Sequence, residues 1–187
     1  MNKRRTTGLK KLLLAIAAGL FIWTSAASAQ DTLADLLQQT GCNWIIGKWV
    51  GETSDGQKYE IEYKWALKDH VVSVHFKGFN IEYHGIIFYK ADAEEVVQIG
   101  VDNNGGNGKG TWVAENGKAV WRNEVPGEYG EVNRMGFVYT KIDAQTMKAD
   151  VHGMDEYGEL SEEPVGTLEY KRQKTQPKKT AATTTQQ

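Results

Sequence analysis

The chain has 187 residues, 40% hydrophobic and 25% charged, with a formal net charge of −2; that length allows one domain with a sizeable core. The first 29 residues hold five of the 22 basic residues and no acidic one, so the remainder carries −7, and without the three lysines of the C-terminal stretch the body carries −10. Such a body repels phosphate backbones and anionic lipid surfaces, which argues against nucleic acid as a partner, and the single cysteine, Cys42, excludes both an internal disulfide and a multi-cysteine metal site.

The chain begins with Lys3, Arg4, Arg5, Lys10 and Lys11 ahead of the apolar run LLLAIAAGLFIW, and small residues ending Ala27-Ser28-Ala29 follow. This is the pattern of a secretory signal peptide, residues 1–29, with cleavage before Gln30. The apolar run is too short for a membrane span, which needs roughly 20 residues, so no stable span is expected after cleavage and the location is periplasmic or secreted. Asp31 to Gln39 has helical spacing, with Leu33, Leu36 and Leu37 on one side.

From Gly47 onward the sequence is short runs of Val, Ile, Tyr, Phe and Trp, cut by Gly, Asn and Asp. Ten strands in antiparallel succession are predicted. Around Lys68-Asp69, Trp65 meets Val72, Tyr63 meets Val74 and Ile61 meets Phe76 on one face, while Glu62 meets His75 and Glu60 meets Lys77 on the other. Ile81 to Lys90 and Glu95 to Val101 are apolar on both faces in places, which leaves the facing of His84 open. Asn116-Gly117 suits a type I′ turn and sets Trp112 opposite Trp121, an aromatic pair on one face. Around Asp143 to Gln145, Tyr139 meets Ala149, Phe137 meets Val151 and Met135 meets Gly153.

One apolar face on so many short-linked strands predicts an all-β, antiparallel up-and-down barrel of about ten strands, since closure removes exposed edges. The domain spans residues 30–172. Residues 173–187 lack aromatic and bulky aliphatic side chains and read as a disordered tail. A barrel of this size is wider than side chains comfortably fill, so a ligand cavity follows, and the ligand-binding candidates are Tyr63, Trp65, Val74, Phe76, Trp112, Trp121, Met135, Phe137 and Tyr139.

The stretch NWIIGKWVGE, after a short helix, is similar to the G-x-W signature on the first strand of lipocalins and related calycins, here Gly47, Lys48 and Trp49. Its order of glycines and aromatics resembles uncharacterised bacterial exported calycin-like proteins and, more distantly, the nitrobindins. The resemblance covers Trp44 to Arg172. It implies a cation–π contact of the late Arg172 on Trp49, latching first strand to last.

Turns of a meander alternate between the barrel's ends. One end takes the tight turns and the helix, which predicts a plug there and a mouth at the long loops opposite. Two of those loops repeat Glu-Tyr-Gly-Glu, at Glu128 to Glu131 and Glu156 to Glu159. Tyr129 and Tyr157 are either gates over the mouth or, the favoured reading, parts of solvated turns. The glycine-rich Asp102 to Gly110 lacks the spacing of a calcium or phosphate loop and reads as a hairpin loop.

No catalytic constellation is visible, and no cofactor or metal-ligand set is assigned. The function expected is an exported protein that holds a small, mostly apolar molecule without performing chemistry on it. The alternatives are a haem-binding nitrobindin-like barrel, an isomerase- or lyase-type calycin enzyme, and a structural envelope protein.

Overall fold

The computed structural model describes residues 31–126 and 131–173. The expected signal peptide (residues 1–29), Tyr129 and the expected tail beyond Gln173 lie outside the described residues.

Among the described residues one α-helix, α1 (Leu33–Gln39), precedes the strands; Thr32 accepts from the Asp35 amide while the Asp35 carboxylate accepts from Thr32 N–H, a closed capping box. A short 3₁₀ segment, Asn43–Ile45, leads into ten strands: β1 (Gly47–Glu52), β2 (Lys58–Leu67), β3 (Val71–Gly78), β4 (Ile81–Lys90), β5 (Glu95–Asp102), β6 (Asn107–Glu115), β7 (Lys118–Pro126), β8 (Val132–Lys141), β9 (Thr146–Gly153) and β10 (Gly166–Arg172). Each strand pairs antiparallel with its sequence neighbour, and β10 returns to β1, so the sheet is a closed up-and-down barrel as predicted.

The three hairpin registers read from the sequence hold at every pair. Trp112 faces Trp121 about a turn in which Asn116 and Gly117 take φ of 52° and 77°. Tyr139, Phe137 and Met135 face Ala149, Val151 and Gly153. Trp65, Tyr63 and Ile61 face Val72, Val74 and Phe76, but the turn there differs from the two-residue one expected. A bulge between Trp65 and Leu67 takes up one extra residue, and the turn runs through Lys68 to His70 with Asp69 at φ 63°. The register survives because the bulge lies beyond the last buried pair.

Closure depends on the seam where β1 meets β10, which has only two register pairs, Trp49 with Arg172 and Val50 with Lys171. Side chains reinforce it. The Arg172 guanidinium lies 4.0 Å from the Trp49 ring centroid and donates to the carbonyls of Ile46, at 2.9 Å, and Trp44. Gly47 sits at φ 137° against that guanidinium; a Cβ there would collide with Arg172 Nη1.

Pairing also settles the facing of β4 and β5. Tyr83, Gly85, Ile87 and Tyr89 share the inner face with Val96, Gln98, Gly100 and Asp102, while His84, Ile86, Ile99 and Val101 point outward. Ile86, Ile99, Val101 and Val113 are exposed on this wall, so the outer surface is not uniformly charged. The glycine-rich loop is shorter than expected, since β6 starts at Asn107 and Asp102 Oδ1 caps the turn by accepting from the amides of Asn104 and Gly106 at 2.8 and 2.9 Å.

The loop carrying Tyr157 gates nothing. Leu160 bridges back to Met154 and covers Gly136 on the outer wall, and Arg122 Nε donates to Gly158 O at 3.1 Å. Tyr157 is left 83% exposed on a solvated turn, the outcome the favoured reading described.

Candidate functional site

The lumen is crossed near its middle by a belt of aromatic rings. Tyr63 meets Trp112 and Tyr139 edge-on at centroid distances of 6.2 and 6.4 Å, and Trp112 stacks on Tyr139 at 5.5 Å and on Trp121 at 6.0 Å. Trp121 continues the stack onto Phe137 at 5.1 Å. These side chains meet because alternation sends every second residue inward, and the NG hairpin and its β8 neighbour bring four of them side by side.

Gln98 fixes the belt's polar edge. Fully buried, it accepts from Trp112 Nε1 at 3.0 Å and donates to the Tyr83 hydroxyl at 3.1 Å. Tyr83 can lie flat because Gly85 and Gly100 face it; a Cβ on either would strike its phenol. Gly110 gives Trp121 the same room.

On either side of the belt lies a cavity. The larger, about 450 Å³, extends from Tyr63 and Trp112 to Leu33, Leu36 and Leu37 of α1, with exposed Glu94 and Glu95 at its edge. The smaller, about 280 Å³, is walled by Val74, Phe76, Trp121, Phe137 and Tyr139 and bordered by half-exposed Phe79 and Ile81 at the long-loop end. The helix is held at this end by Ala34 N–H donating to Asp69 O at 3.1 Å, and the larger space lies beneath it. Of the seven residues of α1, only Leu33 is buried.

Of the nine residues expected to line the lumen, Tyr63 borders both cavities, Trp112 the larger, and Val74, Phe76, Trp121, Phe137 and Tyr139 the smaller. Trp65 packs against the core but borders neither cavity, and Met135, 38% exposed, sits at the barrel's rim. Alternation gave Met135 the right face and the wrong depth: it pairs with Gly153, the last residue of β9. The sequence reading missed Gln98 and Asn123. Asn123 was accessible to it, since it stands two residues from Trp121 on the same strand and must share its face.

Two buried polar atoms in the smaller cavity's wall, Trp121 Nε1 and Asn123 Oδ1, have no hydrogen-bond partner among the described residues. An unpaired buried group of this kind costs about 1–3 kcal/mol. The carboxylates that border the cavities stand at the edges: Glu94 and Glu95 by α1, and Asp102, whose Oδ1 is committed to its two backbone amides.

Burial pushes the phenols of Tyr63, Tyr139 and Tyr170 up, that of Tyr139 to about 12. They are neutral hydrogen-bonding groups, shifted away from general-base chemistry at neutral pH. An unfolded tyrosine ionises near pH 10, so these phenols contribute stability below pH 10 that is lost as the pH rises through the folded value. Tyr139 alone should cost the fold about 2 kcal/mol by pH 12. Ultraviolet tyrosinate absorbance should accordingly rise in two phases, exposed phenols first and the buried set together with loss of circular dichroism.

None of the four histidines borders either cavity. His75 and His84 point outward on facing positions of β3 and β4, His70 is exposed in the turn after β2, and His152 Nδ1 lies 2.8 Å from Ser161 O on the outer wall. A haem in the lumen would have no imidazole to ligate it.

Fold and interior together define the class: a closed, ten-stranded, up-and-down antiparallel barrel whose lumen is divided by an aromatic belt and only partly filled. No protein-family model matches the chain, and no curated protein matches it significantly. No helix among the described residues is long and apolar enough to cross a membrane.

Proposed function

We propose that this chain is an exported calycin-like barrel that carries a small, mostly apolar molecule bearing one polar end. The observation that carries the reading is the pair of cavities on either side of the aromatic belt, the larger within the range of small-molecule sites and the smaller just under its lower bound of about 300 Å³, both bordered mainly by apolar and aromatic side chains. Export rests on the leader pattern of residues 1–29, and the calycin kinship is supported by the Trp49–Arg172 contact beside Gly47. The polar end is supported by the two unpartnered atoms: Asn123 Oδ1 calls for a donor and Trp121 Nε1 for an acceptor.

Catalysis is the weaker reading, because no carboxylate or imidazole reaches the middle of the lumen. The experiment is calorimetric titration with 2-naphthol, a flat apolar body with a single hydroxyl. Saturable binding of one equivalent, competing with whatever co-purifies from the native source, supports carriage. Absence of binding for 2-naphthol and for its methyl analogue, with no co-purifying molecule by native mass spectrometry, rejects it.

A further inference from the structure

Outside the lumen, on the wall formed by β3 and β4, His75 and His84 stand directly opposite one another across the strand pair. Their rings stack with centroids 4.1 Å apart and planes 12° from parallel. Glu82 lies two residues before His84 and so shares its face. Its Oε1 is 3.1 Å from His75 Nε2 and 3.6 Å from His84 Nε2. Two imidazole nitrogens thus converge on one carboxylate oxygen, and the three ligand atoms lie within 4.8 Å of one another.

We infer that His75, Glu82 and His84 form a binding site for one divalent transition-metal ion of the zinc type. Imidazole with carboxylate suits Zn²⁺, Ni²⁺ or Cu²⁺ rather than Mg²⁺ or Ca²⁺, which prefer all-oxygen shells. Zinc takes such ligands at roughly 2.0–2.2 Å, so small side-chain rotations convert the present hydrogen bond and the longer His84 contact into coordination. The cross-strand pairing fixes both imidazoles before the ion arrives.

Glu82 is prepared for the role. The His75 imidazole and the Lys77 ammonium both face its carboxylate. Lys77 Nζ lies 3.8 Å from Oε2, the oxygen not shared by the histidines. One oxygen is thereby free to ligate while the other keeps an outer partner, the arrangement that orients ligands in built sites. Side-chain exposures of 31% for His75, 42% for Glu82 and 65% for His84 leave a fourth coordination position facing solvent. The site faces away from the lumen, so it is independent of the carrier reading.

The test is titration of the tag-free protein with Zn²⁺ against a chromophoric chelator, and with Co²⁺ followed by visible absorption. One equivalent should bind, raise the unfolding temperature with increasing Zn²⁺, and give with Co²⁺ the intense bands of a four-coordinate ion. His84→Ala and Glu82→Gln should each weaken Zn²⁺ binding by at least about tenfold, whereas His152→Ala should leave it unchanged. His84 is the most exposed of the three, so its variant keeps the fold even if His75→Ala does not. No saturable equivalent, or binding that survives both His84→Ala and Glu82→Gln, overturns the assignment.

Discussion

Trp49→Ala is expected to cost about 3–5 kcal/mol, the range for truncating a fully buried large aromatic, against a total stability of about 5–15 kcal/mol for a domain of this kind. Trp49 is 0% exposed, donates its indole N–H to Ile45 O at 2.8 Å, meets Trp44 edge-on and lies under the Arg172 guanidinium. Its removal therefore cancels packing, a hydrogen bond and the cation–π contact in one step. It does so at the seam with two paired positions, where no long ladder compensates. A fall of that size in the unfolding free energy, read from urea denaturation, should be accompanied by faster amide exchange in β1 and β10 than in the NG hairpin.

Arg172→Lys separates the parts of that latch. Lysine keeps the charge but lacks the planar fork that donates to both Ile46 O and Trp44 O while stacking on the indole. It should lose most of what Arg172→Ala loses. A Trp49→Ala cost below about 1 kcal/mol would mean that backbone pairing alone closes the barrel and that the latch is incidental.

The strand pattern was legible wherever one face meets solvent and the other meets the lumen. The NG hairpin is the best case, because turn chemistry and alternation independently give the Trp112–Trp121 register. Legibility failed on β4 and β5, where the usual cue is reversed: glycines 85 and 100 point inward to make room for Tyr83, and Ile86, Ile99 and Val101 point outward. A pattern that places its smallest residues inside and its branched ones outside cannot be oriented without the partner strands. That ambiguity hid Gln98 and left the position of His84 open, and with it the His75–Glu82–His84 cluster. The cavity beneath α1 was invisible for another reason, since the depth to which a short helix fills a barrel end is set by the barrel's width rather than by the helix's own spacing.

Asn123→Leu should move stability and binding in opposite directions. Asn123 is 6% exposed and its Oδ1 has no partner among the described residues, so replacing it by an apolar side chain of similar size removes a desolvation penalty and should raise stability by about 1 kcal/mol. In the complex the same change deletes the acceptor for a ligand's donor group. Affinity for 2-naphthol should then fall about tenfold, the equivalent of one hydrogen bond at 1.4 kcal/mol. Its isostere 2-methylnaphthalene, which offers no donor, provides the control and should bind the variant at least as well as the wild type. A residue that merely tolerates burial would leave the ratio of the two affinities unchanged, and an Asn with a structural role would destabilise the barrel on removal. Only a binding group without a partner inside the fold produces a gain in unfolding temperature together with a selective loss for the hydroxylated ligand. Parallel weakening of both ligands, or a drop in stability, would detach Asn123 from the polar end of the site.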